Sequence, residues 1–525
     1  MNAAGSRIFE FAVVRFGRTG AAAALLASAV GAACCAQEVD PELKFVRTAP
    51  EETAVAEGET VPTPPRAEPI PPPEETTAAL GLEEVRGSVQ RYYPLLVAAV
   101  QERGIAEGEQ ISSRGVYDLR ASAENVTGAL GFYRTNRAAI GFERYTLPGG
   151  KISSGYRIGR GSFEPWYLER QTNEGGEFKL GYQQSLLQGL AVDKRRVGMR
   201  KADLARAAAE PSIDKQRIYF LEYAAIDYWK WVAAGHWYVV NRDLLRLAEM
   251  RVEGIDTRIN RGILPEIERL DNRRLIVSRQ TKLIEADRKF QQAAVELSLY
   301  LRDEFGSPML PASERLPSFP VPTKPDEARL DDDLATALAY RPEPRYLRLQ
   351  REKTVVELNF ARNQTLPQLD AVVGASKDVG LPTSPKNDKG PFQLEAGLLF
   401  DVPIQRRDAG GRIRSAEAAL TQIRAQEQFA ADRVRADVRY ALAGLKTAYE
   451  EYAYAVESAD LASRMEAAER TKFDLGNSNI LMVNLREQAT ADARITMIDA
   501  LAEYHIAEAE YRAALGLDAG FVAAP

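Results

Sequence analysis

The chain states one structural plan twice. An alternating strand, a turn of small residues and a long alanine-rich helix run from Phe178 to Ala209, and the same succession returns from Phe392 to Ala425. Leu420 follows Leu204 by 216 residues, Gly476 follows Gly262 by 214, and Gly516 follows Gly306 by 210. Solenoid repeats have periods of about 20–50 residues, so a unit of this size is a duplicated structural half. Whatever one half builds, the other must build again beside it.

Each half is dominated by helix. From Arg406 to Phe473 no proline occurs and Ala, Glu, Arg, Gln and Leu prevail, which predicts one helix of about 60 residues, ~90 Å long. Leu420, Ile423, Phe429, Val434, Val438, Leu442 and Leu445 form an apolar seam in steps of three and four. A helix this long without internal caps reads as coiled coil. Gly476-Asn477-Ser478-Asn479 breaks it, and Ile480 to Leu515 runs back as its partner. The first half descends from Asp193 to Val252, turns at Gly262 to Pro265, and returns from Glu266 to Phe305. Pro211 is expected to kink the descending helix or mark a joint in it.

Four strands are expected, two in each half, so that each half reads as one copy of a helix–strand–strand–helix unit. Phe392, Leu394, Ala396, Leu398, Phe400 and Val402 share one face, with Gln393, Glu395, Gly397 and Asp401 on the other. Phe178, Leu180, Tyr182 and Leu186 alternate in the same way with Lys179, Gly181, Gln183 and Ser185. Their partners are Tyr133 to Leu147 and Gln368 to Ser376. No helix face is left to cover such strands. Segments of about 10 residues, apolar on one side and polar on the other, match strands of a barrel in lipid. Four strands cannot close a barrel, so several copies must contribute to it. Gly149-Gly150 and Gly159 to Gly161 are read as part of an extracellular loop, since no Gly-Lys-Ser/Thr follows to cradle a phosphate.

The ends and linkers frame these halves. Arg7, Arg15 and Arg18 precede an apolar stretch from Ala21 to Ala33, the pattern of a signal peptide over residues 1–36. Cleavage after Ala36 and lipidation at Cys34 are the alternative fates of that leader. Residues 37–80 are rich in Pro, Glu and Thr and read as a disordered spacer. The halves occupy 81–306 and 330–517, a proline-rich linker at 307–329 joins them, and 518–525 is a tail. Cys34 and Cys35 are the only cysteines, so the body has no disulfide framework. A net charge of −6 without a dense basic stripe argues against a nucleic-acid partner. His236 and His505 are the only histidines, and neither has a nucleophile or a metal-ligand cluster beside it. No enzyme activity, metal or cofactor is expected. Trp229, Trp231 and Trp237, with Tyr223, Tyr228 and Tyr238, read as packing between helices.

Several short motifs, in order, resemble the TolC-like outer-membrane efflux proteins over roughly residues 85–517. Ala337-Leu338-Ala339-Tyr340-Arg341-Pro342-Glu343 resembles the family's opening "ALxxRPE", and Leu366-Pro367-Gln368-Leu369 its entry into a strand. Val402-Pro403-Ile404 with Gly410-Gly411-Arg412 and Ala416 resembles its passage from strand to long helix. Phe473-Asp474-Leu475-Gly476 resembles the hairpin tip, and Ala513-Ala514-Leu515-Gly516 the terminal "ALG". In the first half, Tyr93-Pro94-Leu95 and Gln184-Ser185-Leu186-Leu187 match more loosely, and the "RPE" box is absent.

The resemblance implies a mainly α fold with a small β part. It implies a homotrimer that pools strands into a twelve-stranded barrel in outer-membrane lipid and helices into a periplasmic α-barrel. The hairpin tips, Gly262 and Gly476-Asn477-Ser478, would meet a periplasmic adaptor and an inner-membrane pump of the RND or ABC type, in a tripartite efflux or type I secretion system. In some members acidic residues follow the second tip glycine by six and nine positions. Here those positions are Met482 and Leu485, whereas the same spacing from Gly262 gives Glu268 and Asp271. The expected gate is therefore an apolar constriction at Met482 and Leu485 with an anionic ring at Glu268 and Asp271. A coiled-coil scaffold of the cell envelope is the rival reading; it has no use for the amphipathic strands.

Overall fold

The computed structural model describes residues 78–165, 170–262, 264–383 and 388–519. The expected leader with Cys34, nearly all of the spacer and the end of the tail lie outside them. In the first half, α1 (Leu82–Tyr92) and α2 (Pro94–Arg114) lead into β1 (Arg120–Gly128), β2 (Thr135–Tyr145), β3 (Gly150–Gly161) and β4 (Glu177–Ser185). Then come α3 (Lys194–Met250), α4 (Val252–Asn260) and α5 (Ile267–Ser298). The second half has α6 (Leu330–Tyr340), α7 (Pro342–Asn363), β5 (Gln368–Asp378), β6 (Gln393–Asp401), α8 (Arg407–Asp474) and α9 (Ile480–Leu515).

The duplication is visible element by element. α1 and α6 have 11 residues each, and α2 and α7 have 21 and 22. Pro94 and Pro342 open the second helix of each pair, where the absent N–H costs nothing. Gly306 and Gly516 close the halves with φ of 79° and 73°. A side chain at Gly516 would press on the Arg341 backbone at 3.1 Å, so the "RPE" and "ALG" motifs are two sides of one corner. Arg341 ties that corner to the Ala513 carbonyl at 3.2 Å and to the Glu343 carboxylate at 3.0 Å.

The long helices form as their sequences require. α8 runs 68 residues, about 100 Å. Its end is a Schellman cap: Gly476 has φ of 78°, its N–H donates to the Phe473 carbonyl, and the Asn477 N–H donates to Lys472. Asn479 then caps α9 by accepting from the Met482 N–H at 2.9 Å. Asp193 caps α3 through the N–H groups of Arg195 and Arg196, at 2.7 and 2.8 Å. α3 runs unbroken for 57 residues through a buried Pro211, so that proline is not a joint between segments.

The sheet departs from expectation. Six strands form one antiparallel sheet in the order β1-β2-β3-β4-β5-β6, so four strands per chain, and the twelve-stranded total built on that count, do not hold. β1 and β3 are the additions, and the supposed loop glycines Gly150, Gly159 and Gly161 belong to β3. The helix–strand–strand–helix plan therefore describes the second half alone. Pro342 follows Pro94 by 248 residues, but Leu420 follows Leu204 by only 216, and 248 − 216 = 32. The first half carries a surplus between those points equal in length to one strand hairpin.

Two boundaries also move. Leu80, assigned to the spacer, is fully buried, and its carbonyl accepts from the Tyr228 hydroxyl at 2.8 Å. Asp518, assigned to the tail, is buried against Arg86 and Arg512. The linker between the halves lies on the main core: Phe319 stacks over Trp229, and Leu316 packs beside it. Both histidines hold this linker. His236 Nε2 is 2.9 Å from the Pro317 carbonyl and His505 Nε2 is 3.2 Å from that of Pro320.

Candidate functional site

Two regions combine exposure, charge and geometry in ways that a folded core does not need. One is the sheet. Register fixes its faces: Ala138, Ile140 and Phe142 of β2 lie beside Ile158, Tyr156 and Ser154 of β3. The row continues through Phe178, Leu180 and Tyr182 of β4, Ala375 and Val373 of β5, and Leu394, Ala396 and Leu398 of β6. Most of these large side chains stand exposed, Leu398 at 68% and Phe178 at 56%. A bare apolar band of this extent is a surface made for a partner or for lipid. Charges on this face, Arg144, Arg160 and Lys377, sit only near the strand ends, where headgroups would receive them.

The other face is polar. Lys151 pairs with Glu143 at 2.6 Å, Arg157 pairs with Glu177, and the Gln183 amide donates to Asp370 at 2.9 Å. Glycines cluster on the same face: Gly141 is opposite Gly155, Gly181 is opposite Gly374, and Gly397 lies beside Val372. Without side chains at these points the sheet can bend toward its polar side, as a barrel wall must. Strands of nine to twelve residues are long enough to cross a hydrocarbon core. At the end of the sheet away from the helices, the carbonyl of Arg170 lies 2.1 Å from where a Cβ of Gly159 would stand, so the backbone at Arg170 lies on the polar face. There Thr172 and Asn173 are buried, held by Gly159 and Asp378. Among the described residues no helix is long and apolar enough to cross a membrane.

The second region is the pair of hairpin tips. Gly262 and Gly476 turn the two tips with φ of 72° and 78°, both in the left-handed region where glycine is at ease. The tips lie against each other. The Arg258 guanidinium sits 4.9 Å from the Phe473 ring, and a cleft of about 320 Å³ lined by Met250, Ile255, Leu264, Phe473 and Val483 separates them. Ser478 donates to Glu469 across its own turn. Met482 is half-buried and Leu485 is 54% exposed. Glu268 is half-buried and Asp271 exposed, with the Arg274 guanidinium of the same helix 3.8 Å from the Asp271 carboxylate. Among the described residues no hydrogen bond or ion pair joins Glu268 or Asp271 to Met482 or Leu485.

Behind the tips stands a group that sequence reasoning missed. Glu487 of α9 has a fully buried side chain facing three guanidiniums. Arg251, between α3 and α4, pairs with it; Arg279 of α5 lies at 3.1 Å and Arg470 of α8 at 3.0 Å. Arg279 also donates to the Leu244 carbonyl at 2.7 Å, while burial pulls its pKa below the usual arginine value. One carboxylate thus joins all four hairpin helices. No local pattern could reveal it, because its most distant partner, Arg251, lies 236 residues away.

No protein-family model matches the chain, and no curated protein matches it in sequence. Solved structures do match. The outer membrane protein VceC from Vibrio cholerae superposes with a TM-score of 0.58 at 15% identity, over 83% of this chain and 96% of that one. The CmeC outer membrane channel of Campylobacter jejuni gives 0.57 at 16% identity, over 84% and 86%. The MtrE outer membrane channel of Neisseria gonorrhoeae, in its open state, gives 0.56 at 16%, over 83% and 88%. The chain has the fold of outer-membrane channels. The mainly helical class with a small antiparallel sheet, expected from the sequence, is the class of this channel fold. The amphipathic sheet and the hairpin tips lie at opposite ends of the long helices α3 and α8.

Proposed function

We propose that the protein is an outer-membrane exit duct, three copies of which pass solutes delivered by an inner-membrane pump through a periplasmic adaptor. The observation that carries this reading is the sheet. It is apolar and exposed on one face, polar and set with glycines on the other, and among the described residues its edge strands β1 and β6 are each paired on one side only. A coiled-coil scaffold has no use for such a surface. The duct performs no bond chemistry; it offers water-filled passage, and the hairpin tips around Gly262, Gly476, Asn477 and Ser478 are its adaptor contacts. The pump class, RND or ABC, follows from the adaptor and not from the duct.

Its gate combines Met482 and Leu485 as an apolar constriction with Glu268 and Asp271 as an anionic ring. The Glu487 cluster holds the two hairpins together behind that constriction. The duct reading is tested on protein extracted from outer membranes. The expected result is a trimer by native mass that conducts in planar bilayers; a soluble, non-conducting monomer overturns it. Replacing Glu268→Ala and Asp271→Ala removes six carboxylates per trimer. Cation-over-anion permeability is expected to fall several-fold, and unchanged selectivity removes the acidic ring from the gate.

A further inference from the structure

The sheet ends on two strands of equal length that nothing in the described chain covers. β1 offers Arg120–Gly128 and β6 offers Gln393–Asp401, nine residues each, and each is hydrogen bonded along one side only. In lipid an open row of N–H and C=O groups does not persist, and six strands are too few to close on themselves. The count of six is even. β1 leaves α2 and β6 enters α8, so β6 of one copy meets β1 of the next antiparallel.

The faces narrow the register. Ala121, Ala123, Asn125 and Thr127 of β1 point to the lipid side, as do Leu394, Ala396, Leu398 and Phe400 of β6. Outward residues must oppose outward residues, and full overlap of the two strands satisfies this. It sets Ala121 against Phe400 and Ala123 against Leu398, small under large. On the polar side it sets Arg120 against Asp401, opposite charges at the periplasmic end. We propose that β1 of each copy pairs with β6 of its neighbour in this register, closing three chains into one eighteen-stranded barrel. The number of copies rests on the duct reading above; the seam does not.

The consequence is width. With strands spaced about 4.8 Å and tilted about 40°, eighteen strands enclose a barrel about 36 Å across, against about 24 Å for twelve. The barrel is then wider than the passage needs, and restriction falls to the inward-folded segment around Thr172 and to the hairpin tips.

The seam is read by cross-linking Asn125→Cys/Ala396→Cys in outer membranes with a short bifunctional thiol reagent, since directly opposed Cβ atoms lie about 5 Å apart. Covalent dimers and trimers from the double variant, absent from each single variant, are the expected result. Imaging the unmodified trimer by electron cryo-microscopy counts the strands independently, and eighteen are expected. Native trimers that fail to cross-link, or a barrel of twelve strands, overturn the seam and leave the duct standing. A non-conducting monomer overturns both.

Discussion

Glu487 shows what single residues do in this molecule. A carboxylate with no exposed side-chain surface is expensive to bury, and its three arginines offset that cost only while all stay in place. Arg279 is itself 2% exposed, so removing the carboxylate leaves a buried cation without its counter-ion. Among the described residues the Nε atoms of Arg279 and Arg470 have no partner, so the network is not fully satisfied. Glu487→Gln is expected to cost about 3–5 kcal/mol, the usual loss on breaking a buried pair. The cost should appear as a lower melting temperature together with a raised open probability in single-channel records. A variant that melts early yet stays closed would separate the cluster from gating. Glu222 on α3 behaves differently. Burial, with Glu510, Asp518 and Asp437 nearby and only Arg341 opposing, raises its pKa to about 7. The raised value favours the protonated form in the folded state, so stability is greatest below the unfolded carboxylate range of about 4.3 and is lost as pH rises through about 7. Glu222→Gln should therefore raise the melting temperature at pH 8 and leave it unchanged at pH 4, measured by thermal melts in detergent.

Among the elements, helices were legible and the two additional strands were not, for physical reasons. Asn479 and Gly516 bound α9 in sequence as they do in space, because a cap is a local event. Alternation revealed β4 and β6, whose outward faces are large and apolar. β1 escaped because its outward residues are Ala121, Ala123, Asn125 and Thr127, which carry no hydrophobic signal. β3 escaped because Gly150, Gly159 and Gly161 read as loop, although each is held in a ladder: Gly150 stands opposite Gln184 of β4, and Gly159 and Gly161 opposite Arg137 and Thr135 of β2. Gly159 has a purpose beyond bending: it lets the Arg170 backbone lie on the inner face. A side chain there cannot coexist with that carbonyl. Gly159→Val is expected to lift the inward-folded segment from the wall and increase conductance, with the trimer intact by native mass. Unchanged conductance in an intact trimer would mean that the segment does not narrow the outer mouth.

At the scale of the whole molecule, duplication explains the helices and fails to explain the sheet. The halves agree from α1 and α6 through their closing glycines, but the first holds four strands and the second two. The surplus of 32 residues between the Pro94/Pro342 and Leu204/Leu420 landmarks is a matter of arithmetic in the sequence, yet only the structure turns it into a hairpin. Parity decides what can be removed. Deleting residues 129–160 joins the top of β1 to the connection before β4 and leaves four strands per chain. Four is still even, so β1 still ascends, β6 still descends, and neighbouring copies can still pair antiparallel. The hairpin helices, which carry the inter-element packing, are untouched. The expected product is a trimer with a barrel about two-thirds as wide, since width grows roughly linearly with strand number. Native mass and imaging of the barrel together read this out. Deleting a single strand instead makes the count odd, forces a parallel seam and reverses the direction in which the chain enters α3, so no closed trimer should form. If the even and odd deletions assemble equally well, the strands are not the wall that closes the duct.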